Sequence, residues 1–316
     1  MNDLFQTLPD VLTVGLLAAA VRLAMPVLLA TLGEIVAERA GVLNLATEGN
    51  MLVGALLGFW AAQVTGSLWV GVVVAGLAGA LGGLAMAGLS VSLRADQVVS
   101  GLALLIFGSG LSIFLYRVVY GTSGLVPRVE RFATVSLGGL SEIPVLGPVL
   151  FQQSPLTYLA LLMVPVTGIL LYKTPLGLRL RAVGENPRAV DTLGLSVVGL
   201  RYFAVIFGGL LAGVAGACLT LGELGAFTEN VTGGRGFIAI ALVVFARWSP
   251  YRALVGALLF GFVDALQVRL QIANAGVSPE FFIALPYVFT IITLLVVGRR
   301  GHGPTALTVA YQRGDQ

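Results

Sequence analysis

The sequence predicts an all-α polytopic membrane protein with eight or nine transmembrane helices, two interrupted segments and inverted repeats. Three observations carry that reading. Of the 316 residues, 57% are hydrophobic and only 10% charged, with a mean hydropathy of +0.97; a soluble domain carries about 25% charge. Apolar runs repeatedly reach the length of about 20 residues that a spanning helix needs, without the alternation of an outer-membrane barrel. Two of the runs are broken by polar patches of similar make-up. One membrane domain over 1–316 follows, with a cytoplasmic loop at about 173–201.

In order along the chain, spans are expected near 11–33, 49–66, 68–92, 98–120, 154–172, 199–221, 250–272 and 279–298. The piece at 236–248 is too short to cross in straightforward fashion. Counted as a crossing preceded by unwound backbone, it gives nine passes and termini on opposite sides. The opening residues are acidic rather than basic, so no cleavable signal peptide is expected. The lone Cys218 lies in an apolar run and allows no disulfide within the chain.

Basic residues set the orientation, because cytoplasmic loops retain Lys and Arg. If 173–201 faces the cytoplasm, Lys173, Arg179, Arg181, Arg188 and Arg201 are inside. Arg39, Arg94, Arg247, Arg252, Arg299, Arg300 and Arg313 join them. Arg117, Arg128, Arg131, Arg235 and Arg269 remain outside, and Arg22 lies within a span. The C-terminus is then cytoplasmic and the N-terminus external. The net charge of +3 is ordinary for such a chain and gives no sign of nucleic-acid binding.

The third span carries Gly71, Ala75, Gly79, Gly83 and Ala87 at every fourth position, and the sixth repeats this with Gly209, Gly213 and Ala217. Small residues at that spacing let helix backbones approach closely in lipid, where hydrophobicity gives no drive to associate. Packing within one bundle is the default, with a subunit interface as the alternative.

Polar residues are dense in GEIVAERAGVLNLATEGN, Gly33 to Asn50, and in GELGAFTENVTGGRG, Gly222 to Gly236. Both begin Gly-Glu, and both lead into a new apolar helix. Paired broken segments running in opposite directions point to inverted repeats around a transport path. Backbone outside a helix is tolerated at that depth where it faces protein or water. Asn44, Thr47, Glu48 and Asn50 on one side, and Glu223, Glu229 and Asn230 on the other, could line a path for a polar, uncharged solute. Asn44 and Glu48 serve equally as helix caps. Arg22 and Asp264 sit within apolar runs, where charges are paired or functional; pairing with a neighbouring helix is the default for both.

A second polar island, GENPRAVDTLGL, Gly184 to Leu195, lies between two long apolar runs. Asn186 suits a helix N-cap, Pro187 a first turn and Gly194 a helix end. The pattern predicts a two-turn surface helix held at the cytoplasmic face, shaped as a handle for another protein.

Catalytic chemistry is missing. The single lysine, Lys173, has no phosphate-binding loop before it, so the chain does not bind ATP through one. The only histidine, His302, lies in a Gly-rich tail, and no Cys/His cluster offers a metal site. No cofactor is expected, and the chain is not read as an enzyme.

Three motifs carry a resemblance: AERAGVLNLATEG (Ala37 to Gly49), GENPRAVDTLGLSV (Gly184 to Val197) and GRGFIAIALVVFARWSP (Gly234 to Pro250). Together they resemble permease subunits of ABC importers, in the branch containing ribose, branched-chain amino acid and nucleoside permeases. The chain is most similar to the shorter of two permeases in bacterial nucleoside importers. Ala37 departs from a position where family members often have Ser. The resemblance implies a second, related permease, cytoplasmic ABC ATPase subunits, and an extracytoplasmic lipoprotein that delivers solute, all at the bacterial inner membrane. It also implies that Gly184, Glu185, Asn186, Pro187 and Ala189 belong to a coupling helix seated in the ATPase. Nucleosides are the expected solute. Sugar or branched-chain amino acid import is the alternative, and an ion-coupled secondary transporter using a buried acid such as Asp264 is the rival from another class.

Overall fold

The computed structural model describes residues 13–121, 127–136, 138–272, 279–297 and 303–312. Arg299, Arg300, His302 and Arg313 lie outside the described residues, as do the first twelve. The helices are α1 (Val14–Arg39), α2 (Thr47–Thr65), α3 (Leu68–Ala87), α4 (Gln97–Tyr120), α5 (Pro155–Lys173), α6 (Pro175–Glu185), α7 (Pro187–Thr192), α8 (Val197–Ala217), α9 (Arg235–Phe245), α10 (Pro250–Ile272) and α11 (Pro279–Val297). π-helical turns extend α3 through Gly88–Ser92 and α8 through Cys218–Leu224. Strands β1 (Val135–Ser136) and β2 (Gln152–Gln153) pair antiparallel in the connection from α4 to α5.

Among the described residues, six helices are long and apolar enough to cross a membrane: α1, α3 with its extension, α4, α5, α8 with its extension, and α10. Two shorter apolar stretches, Arg235–Phe245 and Glu280–Ile292, accompany them. Each expected span is a helix, and the short piece at 236–248 is α9.

Packing explains the small-residue stripes. With α1–α3 in one half of the chain and α8–α10 in the other, the first helix of each half lies against the third helix of the other: α3 on α8, and α10 on α1. A Cβ at Gly79 of α3 would collide with the backbone of Gly209 and Gly213 in α8. A Cβ at Gly261 of α10 would likewise strike Ala20 and Ala24 of α1. In both contacts one glycine seats on two small residues four apart, the spacing of one helix face. Helices α1 and α8 cross where Gly33 meets Gly208. Among the described residues the stripes are therefore used for packing within the chain.

The 173–201 segment departs from the expected loop with a single handle. It folds into two helices, because Thr174 accepts the Gly177 N–H at 3.1 Å and Pro175 opens the first turn of α6. Leu180 and Val183 are buried on one side of α6, among arginines whose charge had served only to set the orientation. Gly184 and Glu185 end α6 rather than begin the handle. Arg201, counted among the loop's cations, is 1% exposed within α8 and donates to the Val309 carbonyl at 2.9 Å.

Candidate functional site

Each broken segment ends one helix and starts another, and freed backbone groups must find partners. Helix α1 stops at Gly41, whose φ of +83° suits a residue without Cβ. Gly41 N–H donates to Glu38 O at 2.8 Å and Val42 N–H to Ala37 O at 3.1 Å, the paired bonds of a Schellman end. The following backbone turns into α2 around Glu34, which is fully buried. Its carboxylate accepts the Asn44 N–H at 2.8 Å and the Thr47 hydroxyl at 3.2 Å. Asn44 Oδ1 accepts the Ala46 N–H at 3.2 Å. The break thus spans only 40–46, and the Gly33–Glu34 pair sits inside α1.

The second break runs from Gly225 to Gly234. Here Glu48, 4% exposed, reaches across from α2. Its carboxylate accepts the Gly234 N–H at 2.8 Å, the Gly236 N–H at 2.6 Å and the Thr232 hydroxyl. Glu48 therefore caps α9 from the first turn of a different helix. The positive N-terminal ends of α2 and α9 converge on one carboxylate. Asn50 is buried against Gly82 of α3. The side-chain amide nitrogens of Asn44 and Asn50 are buried without a hydrogen-bond partner. Asn230 is exposed with φ of +58°, and Glu229 makes an exposed ion pair with Arg117 at 2.8 Å.

Glu223 stands apart from the capping residues. It ends the α8 extension and lines a polar cavity of about 520 Å³ with Arg22, Glu130, Arg131 and Ser154. Residues 129–132 strap over it: Val129 N–H donates to Gly225 O at 2.9 Å, and Phe132 N–H to Leu221 O at 3.0 Å. The Arg131 guanidinium donates to the Glu223 carbonyl at 3.0 Å. Arg22, Arg235 and Asp264 also lie within electrostatic reach of Glu223. Asp264 takes the expected structural partner, Arg235 of α9, at 2.8 Å. Arg22 faces the cavity.

At the other end stands the handle. Asn186 Oδ1 accepts the Ala189 N–H at 3.1 Å, and Pro187 opens α7. Gly194, at φ +76°, closes it with a second Schellman pair: Gly194 N–H to Asp191 O at 2.9 Å and Leu195 N–H to Val190 O at 3.3 Å. Val190 packs against Val183 and Val197. Arg188 and Ala189 point outward, and Leu193 is 77% exposed at the tip.

The handle is fastened to the first break. Gly184 lies so close to the Arg39 carbonyl and Gly41 that a Cβ would collide. Residues 303–312 hold it from outside: Ala306 N–H donates to Gly184 O at 2.8 Å, and the Thr305 hydroxyl to Glu185 Oε2 at 2.8 Å. Beside them Trp248 Nε1 donates to the buried Glu38 carboxylate at 2.6 Å, and the Trp248 carbonyl accepts from the Tyr172 hydroxyl at 3.1 Å. Sequence reasoning missed Glu34, Glu38, Trp248 and the tail. Acids inside an otherwise apolar helix were the available signal for the first two.

The family model described as the branched-chain amino acid transport system permease component matches residues 16–298. An ABC transporter permease protein of Haloferax volcanii, provisionally named for glucose, is 41% identical over 95% of this chain and 98% of its own. The guanosine ABC transporter permease of Bacillus subtilis is 35% identical over 99% of this chain and 100% of its own. The nucleoside ABC transporter permease of Lactococcus lactis subsp. cremoris is 35% identical over 90% and 93%. No solved structure matches significantly.

Proposed function

The chain belongs to the family of branched-chain amino acid transport system permease components, ABC transporter subunits rather than enzymes, and from that premise we propose that it imports nucleosides. The observation that carries the coupling part is α7 itself. It is a capped, two-ended knob with an exposed Leu193 tip and a basic flank at Arg188, fastened through Gly184 to the break after α1. Such a knob suits the groove of a separate cytoplasmic ATPase, with Gly184, Glu185, Asn186, Pro187 and Ala189 as the coupling residues. The C-terminal side is then cytoplasmic. A second, related permease completes the pore, and an extracytoplasmic binding lipoprotein delivers solute.

Transport follows by alternating access. ATP binding closes the ATPase dimer, and the knob moves the end of α1. The Glu34 and Glu48 bonds carry that shift from one break to the other. ATP must bind one conformation better than the other, since equal affinity shifts nothing. In the path, Glu223 and Asn230 stand toward the end away from the knob. Asn44 and Asn50 bring buried amide donors to the breaks, while Thr47 and Glu48 hold the breaks together. Nucleoside is favoured by two relatives with that name. Glucose is the second reading, favoured by the 41% relative. ATP-driven uptake of radiolabelled guanosine by proteoliposomes holding both permeases, the ATPase and the lipoprotein tests the assignment. Uptake that tracks an ion gradient and ignores ATP overturns it.

A further inference from the structure

We propose that the cavity between Arg22 and Glu223 binds the sugar ring of the solute, making this chain a recognition element for neutral, polyhydroxylated compounds. The proposal rests on the transport reading above and names the chemistry of its site. Arg22 lies 17 positions before Arg39, about 26 Å along the helix at 1.5 Å per residue. The cavity therefore stands at the end of the bundle opposite the knob.

Its size, about 520 Å³, falls in the range of small-molecule sites. Its lining decides the class. Arg22 and Arg131 bring only donors, and Glu130 and Glu223 bring acceptors when ionised. Thr134 and Ser154 can do either. A hydroxyl both donates and accepts, so a ring bearing several can satisfy guanidinium and carboxylate together. Two cations against two anions leave no net charge to favour a solute of one sign. Among the described lining residues only Phe132, Ala133 and Gly222 bring no polar side chain. Phe132 is itself 9% exposed and set edge-on to Trp69 at 5.0 Å. Polar groups dominate the lining, which disfavours a branched aliphatic side chain. The strap at 129–132 keeps Arg131 and Phe132 beside Glu223, and the site is built from four separate parts of the chain.

Both kinds of named relative, nucleoside and glucose, handle compounds that carry such a ring. A site that reads hydroxyls need not distinguish the base.

The test uses Thr134→Cys in the assembled transporter in proteoliposomes. Native Cys218 is buried and gives little background on this chain. Alkylation by an impermeant maleimide is followed by mass shift in the presence of ribose, glucose, guanosine or leucine at millimolar concentration. The sugars and guanosine should slow labelling, and leucine should not. Adding Glu223→Gln should raise the half-protecting concentration about tenfold, the effect of one hydrogen bond to a charged group. Equal labelling with and without the sugars overturns the proposal, as does protection by guanosine alone or by leucine. Guanosine uptake in the same vesicles reports on transport separately, so either reading can fail while the other stands.

Discussion

Glu48, in the first turn after one broken segment, accepts the backbone N–H of Gly236, in the first turn after the other, at 2.6 Å. The two halves of the chain are thereby joined at their weakest points. A helix start buried in a bundle has orphan donors and no water to satisfy them. One carboxylate serves two of those donors and the Thr232 hydroxyl across the interface between halves.

Replacing Glu48 with Ala should therefore strand the Gly234 and Gly236 N–H groups and the Thr232 hydroxyl. Each stranded buried donor costs about 1–3 kcal/mol, so a clear fall in Tm is expected. Glu48→Gln keeps one acceptor oxygen and should fall between wild type and Glu48→Ala. Thermal unfolding in detergent measures the order. Equal Tm for the two variants would contradict the capping role.

The crossed packing of the halves gives a steric prediction. Gly213→Val drives a side chain into the Ala75 carbonyl of α3, and Gly261→Val drives one into α1. Overpacking of this kind costs about 1–3 kcal/mol or more. Both should reduce the monodisperse fraction on size exclusion. Gly110→Ala meets open space and should leave the fraction unchanged.

Trp248 gives a third. Trp248→Phe removes the donor to Glu38, a carboxylate 2% exposed. A buried acceptor left without its donor costs about 1–3 kcal/mol. Adding Glu38→Met removes the stranded acceptor and should recover part of the lost Tm. Additive losses in the double variant would show that the two side chains act independently.

The knob supplies a fourth. Asn186→Ala removes a cap worth about 1 kcal/mol of local helix stability, and Pro187→Gly loosens the same turn. Each should reduce ATP-driven uptake and ATPase co-purification while membrane insertion survives. Glu185→Arg should do so more strongly, since it also breaks the bond to Thr305. Full uptake in a well-expressed Pro187→Gly, Glu185→Arg double variant would remove the assignment.

Much of this was legible in the sequence, for identifiable reasons. The spans followed from apolar length, and the two ends of α7 from Asn186 and Gly194, because both signals are local. The Gly79 and Gly213 stripes announced close packing for the same reason. What stayed hidden was long-range. Nothing near Glu48 in sequence indicates that it caps a helix starting at Arg235. Leu180 and Val183 made α6 amphipathic, but the interleaved arginines masked a helix of eleven residues. Arg201 read as a loop cation because its partner, the Val309 carbonyl, lies 108 positions away. The cavity at Arg22 joins residues from four distant stretches, so only its members, never their meeting, could be read from the chain.

The account depends on α7 facing the cytoplasm, where a motor can grip it. Ala189→Cys puts a thiol on its exposed face, in a chain whose one native thiol is buried. An impermeant maleimide should leave this thiol unmodified in intact cells and label it in inside-out vesicles, with protection when the ATPase is bound. Labelling in intact cells would contradict the account at its root.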